Sequence, residues 1–114
     1  MISLDTRLAL LQALIQGPSY GLELIERVRD RTHGEVRIVQ GSVYPTLRNL
    51  ELEGLVESYE SEPLRARNGR PRIYYRLTAA GQRVAQRQAK AILALLKPAL
   101  GELRFSAAFF GIPG

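Results

Sequence analysis

The apolar residues of this chain change period at Gly54, and that change fixes the order of its elements. Before Gly54 they recur at helical spacing, from Leu55 to Leu77 they alternate, and beyond Thr78 the helical spacing returns. Residues 4–15 read as a first helix with Leu4, Leu8, Leu11 and Ile15 on one face, widened by Leu10 and Leu14. Gly17-Pro18 ends it, and Ser19 is expected to cap a second helix that runs to about residue 31 and closes at His33-Gly34. Leu24, Ile25 and Val28 should face inward there, with Glu23, Glu26, Arg27, Asp30 and Arg31 forming a solvated, salt-laced surface. A short extended piece, residues 36–39, leads to Gly41.

The third helix carries the clearest face separation. Ser42 can cap it and Pro45 then falls in its first turn, where a missing N–H costs little. Val43, Leu47 and Leu50 point to the core, and Gly54 supplies the left-handed residue that ends a helix. Tyr44, Thr46, Arg48 and Asn49 are left outward, all able to reach phosphates or base edges. After Gly54, residues 55–60 and 72–77 read as two strands, the second with Ile73, Tyr75 and Leu77 on one side and Arg72, Tyr74 and Arg76 on the other. The loop between them holds Asn68-Gly69 and Pro71, so the pair makes a hairpin tipped with Arg65, Arg67 and Arg70. Thr78 caps a last helix that Pro98 is expected to break.

Charge narrows the class of partner. The formal net charge is +5, yet residues 63–90 contain Arg65, Arg67, Arg70, Arg72, Arg76, Arg83, Arg87 and Lys90 with no acid, whereas acids outnumber bases before that window. A basic block confined to one region suits a polyanion, and nucleic acid is the usual one. The chain has no cysteine, so disulfides and thiolate chemistry are excluded, and a reducing cytoplasm fits. The start, Met1-Ile2-Ser3-Leu4-Asp5, lacks a basic segment followed by a long apolar run, so no secretory signal is expected, and no apolar run reaches bilayer length. The sole histidine, His33, belongs to a helix end; with no nucleophile, phosphate-loop or metal-ligand motif, neither catalysis, metal nor cofactor is expected.

Helix, helix, donor-faced helix, basic hairpin and long helix make a mostly α fold with a small β-hairpin: a winged helix-turn-helix over residues 1–78. A dimerisation helix over 79–100 and an apolar tail over 101–114 follow. Residues 91–96 are apolar on nearly every side, which a domain this small cannot cover alone, so a second copy is the simplest cover.

Three blocks also resemble the PadR-like transcriptional regulators: Gly17-Pro18-Ser19-Tyr20-Gly21-Leu22-Glu23-Leu24; Gly41-Ser42-Val43-Tyr44-Pro45-Thr46-Leu47 with Leu50-Glu51 and Gly54-Leu55-Val56; and Arg70 to Thr78 ending at Gly81. The resemblance implies a homodimeric DNA-binding protein, usually a repressor, with Tyr20, Ser42, Tyr44, Pro45 and the wing arginines at the duplex. It also implies that the C-terminal helix pairs with its partner and with the partner's N-terminal helix. The expected interface is then Leu4, Leu8, Leu11, Ala85, Ala89, Ile92, Leu93, Leu95 and Leu96. Only one helix and a short tail follow the wing, as in the short members of the family, and no tryptophan is present to stack a drug-like aromatic ligand. Whether an effector binds is left open; a cleft between two C-terminal helices is where one would sit.

Arg65, Arg67, Arg70 and Arg72 should neutralise phosphates, while Arg48 and Asn49 are the candidates for reading bases. The rival reading is a winged-helix adaptor for a protein or RNA, which would lack the steep salt dependence on duplex that roughly six to eight phosphate contacts per dimer impose.

Overall fold

The computed structural model describes residues 1–61 and 71–109, with residues 102–109 described by backbone alone. The element order is α1 (Thr6–Leu14), β1 (Ser19–Tyr20), α2 (Gly21–Arg31), α3 (Gln40–Leu52), β2 (Val56–Glu60), β3 (Ile73–Leu77) and α4 (Ala79–Phe109). It is a mostly helical winged-helix fold, and β1, β3 and β2 form one antiparallel sheet in that order.

The core is built from the α1–α3 layer and closed by the sheet and the start of α4. Leu10, Leu11, Leu24, Val43, Leu47 and Leu50 are fully buried. Leu24 and Val28 face inward on α2, with Ile25 packed alongside. On α1 the buried face is Ala9, Leu10, Leu11, Ala13 and Leu14. Leu4 and Ile15, expected on that face, lie beyond the ends of the helix and are exposed. Asp5 is the cap of α1, its carboxylate accepting from Leu8 N–H at 3.1 Å.

Both serines expected to cap helices do something else. Ser19 is fully buried in β1 and donates to Glu23 Oε1 at 2.6 Å, so α2 begins after Tyr20 with no side-chain cap. Ser42 lies inside the first turn of α3, which starts at Gln40, and its hydroxyl donates back to the Val39 carbonyl at 2.7 Å. Pro45 therefore falls in the second turn. The carbonyl it leaves without an intrahelical partner is that of Gly41, an exposed residue where water can take the bond's place.

Arg27 was expected on a solvated surface but folds back over the end of α1. Its guanidinium donates to the Ala13, Gly17 and Pro18 carbonyls at 3.2, 2.7 and 3.0 Å, satisfying acceptors that the helix end leaves open. Gly17, at φ +128°, turns the chain there. Gly54, at φ +75°, ends α3 as expected.

β1 adds a strand to the expected hairpin. Ser19 and Tyr20 pair with Tyr75 and Tyr74, and β2 pairs with β3 from Val56–Leu77 to Glu60–Ile73. Tyr75 and Leu77 pack on the core as the alternation requires, but Ile73, near the end of the described hairpin, is exposed.

Thr78 caps α4: its hydroxyl accepts from Gly81 N–H at 3.0 Å and donates to the Gly54 carbonyl at 2.6 Å. Contrary to the expected break, α4 continues through Pro98 to Phe109, so no interruption falls at residue 100. Pro98 removes only the bond to the carbonyl of Ala94, on an exposed stretch of the helix. The tail side chains, and residues 110–114 entirely, lie outside the described residues.

Candidate nucleic-acid interface

Three elements converge in front of α3. Tyr20 from β1, Tyr44 from α3 and Arg72 just before β3 line one cleft of about 420 Å³, together with Leu22, Pro71, Ile73 and Tyr75. Three of the residues singled out from the sequence thus meet at one place.

Tyr44 is half exposed (50 %), and the outer end of its ring rests directly on Gly21. A Cβ on Gly21 would stand 2.6 Å from the Tyr44 ring carbon and hydroxyl, so glycine at the start of α2 is what lets the ring lie flat. Tyr75 sits behind it. Burial, then the nearby charges of Glu51 and Tyr44, push the Tyr75 phenol above its ordinary value.

Further along α3, Pro45, Arg48 and Asn49 are exposed, and the Arg48 and Asn49 side chains make no hydrogen bond or ion pair among the described residues. Thr46 is half-buried. Ser42 is also half-buried and lies 3.0 Å from the Thr6 hydroxyl, so it joins α3 to α1. Arg65, Arg67 and Arg70 lie outside the described residues. The root of the hairpin is described: Ser61 N–H donates to the Arg72 carbonyl at 2.8 Å, and Arg72 N–H donates to Ser61 Oγ at 3.0 Å. Arg72 then extends its guanidinium over the Tyr20 ring, 4.1 Å from the centroid.

Two contacts that brace α3 were not legible beforehand. Glu51 accepts from Ser58 N–H at 3.2 Å and from Ser58 Oγ at 2.5 Å, tying the helix to β2. Glu53 pairs with Arg7 through two hydrogen bonds, one at 2.8 Å, tying it to α1. That hydrogen bond holds the Glu53 carboxyl below and the Arg7 guanidinium above their ordinary values. Surface carboxylates carry no periodic signal that would name such partners.

Away from this face, Leu4, Leu8 and Gln12 face Ala89, Ile92, Leu93 and Leu96 across an open apolar groove of about 330 Å³. Leu93 and Leu95 are 57 % and 77 % exposed. Leu11 and Ala85, expected at an interface with a second copy, are fully buried inside the single chain; they are core residues beyond a partner's reach. No helix among the described residues is long and apolar enough to cross a membrane.

A three-helix core, a sheet-borne hairpin and a donor-faced third helix define the winged-helix class of transcriptional regulators. The sequence pattern of the PadR-like family of transcriptional regulators matches residues 10–87, and the chain belongs to that family, whose members regulate transcription and are not enzymes. Among solved structures it is similar to a transcriptional regulator from Clostridium thermocellum, with TM-score 0.67 and 26 % identity over 83 % of this chain and 89 % of that one. A PadR family regulator from Clostridium difficile is similar at TM-score 0.65 and 26 % identity, over 86 % and 96 % of the two chains. An uncharacterized protein from Lysinibacillus sphaericus is 26 % identical over 73 residues, which span 64 % of each sequence.

Proposed function

We propose that the protein binds operator DNA as a homodimer and represses transcription from it, with α3 in the major groove and the hairpin on the flanking backbone. The observation that carries this reading is the convergence of Tyr20, Tyr44 and Arg72 on one cleft beside the exposed side chains of Arg48 and Asn49. In this reading Arg72 and the hairpin arginines neutralise phosphates, and Tyr20 and Tyr44 set the depth of α3. Arg48 and Asn49 read bases, for which guanidinium and carboxamide groups suit guanine and adenine. Two copies related by a twofold axis would recognise an inverted repeat with half-sites about 34 Å apart.

Selection of bound duplexes from a random pool tests all of this together. The expected product is a symmetric motif, with affinity that falls steeply as salt rises. Arg48→Ala or Asn49→Ala should relax the preference at one position of each half-site, a discrimination of about 1–3 kcal/mol. Recovery of no motif, with binding indifferent to salt, would instead favour an adaptor that contacts protein or RNA.

A further inference from the structure

Three tyrosines on three different strands form a single row across the sheet. Tyr20 and Tyr59 are both the register partners of Tyr74. The Tyr20 and Tyr74 rings meet edge to face, with centroids 5.5 Å apart, and Tyr74 stacks on Tyr59 at 5.8 Å. An arginine closes each end: Arg72 lies over Tyr20, and Arg76 over Tyr59 at 4.7 Å. Tyr74 is therefore flanked by rings on both sides, and each outer ring has a guanidinium against it.

The two ends differ in charge. Arg76 also donates to Glu57 at 2.7 Å, so its charge is already matched. Arg72 has no carboxylate within ion-pair distance among the described residues, and its backbone is clamped by Ser61 on both its N–H and its carbonyl. One end of the row is closed by an acid, and the other presents a cation at the rim of the cleft that Tyr44 shares.

We infer that Tyr74 is a positioning residue for DNA binding: through Tyr20 it holds the Arg72 guanidinium in place before the duplex arrives. An arginine ordered in advance loses less rotamer freedom on binding than one that must be fixed at that moment. The inference rests on the reading that Arg72 meets a phosphate, and its test separates the two.

In the free protein, the side-chain protons of Arg72 should be shielded by the Tyr20 ring in the NMR spectrum. Tyr74→Leu should move them towards solvent-exposed values, and Tyr74→Phe, which keeps the ring, should not. On a mixed-sequence duplex, Tyr74→Leu should weaken binding about three- to tenfold per engaged protomer. The same change should have no further effect once Arg72→Ala is present, and Tyr74→Phe should bind like the parent. If Tyr74→Leu does not fold, Tyr59→Leu, which strips the ring behind Tyr74, should give shifts in the same direction. Unchanged Arg72 shifts, or an equal affinity loss with and without Arg72, would overturn the positioning role. If the shifts respond but Arg72→Ala binds duplex normally, the row stands and the phosphate reading of Arg72 is what fails.

Discussion

Two glycines show how one substitution can report on function and another on stability. At Gly21 an added methyl meets the far end of the Tyr44 side chain, which can swing away, while the first turn of α2 gains from losing a glycine. Gly21→Ala should therefore leave the melting stability within about 1 kcal/mol of the parent. Its duplex affinity should nonetheless fall nearly as far as that of Tyr44→Ala, because the ring no longer lies flat. At Gly81 the same methyl would stand 1.9 Å from the Leu55 carbonyl oxygen, a backbone atom in the packed junction of α4 with the strand layer. Gly81→Ala should lose about 1–3 kcal/mol in a denaturant melt, with binding reduced only as folding is. Equal losses of stability in the two variants would show that Tyr44 cannot move and that Gly21 serves packing alone.

At the scale of elements, α3 is held by clamps at its far end, and one of them titrates. The carboxyl of Glu53 has a lowered pKa because Arg7 hydrogen-bonds it, so its contribution to stability is complete above the ordinary carboxylate value, near 4.3, and is lost as pH falls through the lower folded value. Thermal melts of the parent and Glu53→Gln should differ by a constant amount above the ordinary carboxylate range and draw together as pH falls below it. Added salt should shrink the gap, since the pair is exposed. A gap that persists at low pH would mean that the ion pair does not cause it. The same element shows what a sequence discloses. The interior face of α3 was legible because Val43, Leu47 and Leu50 repeat at helical spacing, and all three are fully buried. Its start was not, because Ser42 satisfies the Val39 carbonyl from within the first turn rather than capping from outside. β1 is two residues long, too short for any alternation to register, and its place is set by the Tyr20–Tyr74 register rather than by local preference. The donor face of the site was legible as residue types on one helix, whereas the row from Arg72 to Arg76 needed three strands brought side by side.

For the whole molecule, the decisive quantity is apolar surface that the chain does not cover. α4 is 31 residues long, roughly 46 Å at 1.5 Å per residue, which is most of the molecule's 51 Å long axis and well beyond its other extents of 30 and 26 Å. Its later part carries Leu93, Leu95 and Leu96, all exposed, and Leu93 and Leu96 line an apolar groove shared with Leu8 of α1 and with Leu4 just before it. A contiguous apolar face of this kind is costly to leave in water and is typical of a surface that meets another chain. In the proposed dimer a second copy would satisfy it with one symmetric contact in which α4 meets the α1–α4 groove of its partner, and the same axis would set two α3 helices one helical turn apart on DNA. Leu93→Glu would place a charge in that contact without touching the core, since its side chain is exposed in the single chain. In sedimentation at micromolar concentration the parent should run as a dimer and Leu93→Glu as a folded monomer. The variant should also lose most of its affinity for an inverted repeat while keeping weak binding to a single half-site, because each reading head remains intact and only the tether between them is gone. A parent protein that sediments as a monomer would remove the twofold axis, and with it the expectation of a symmetric operator.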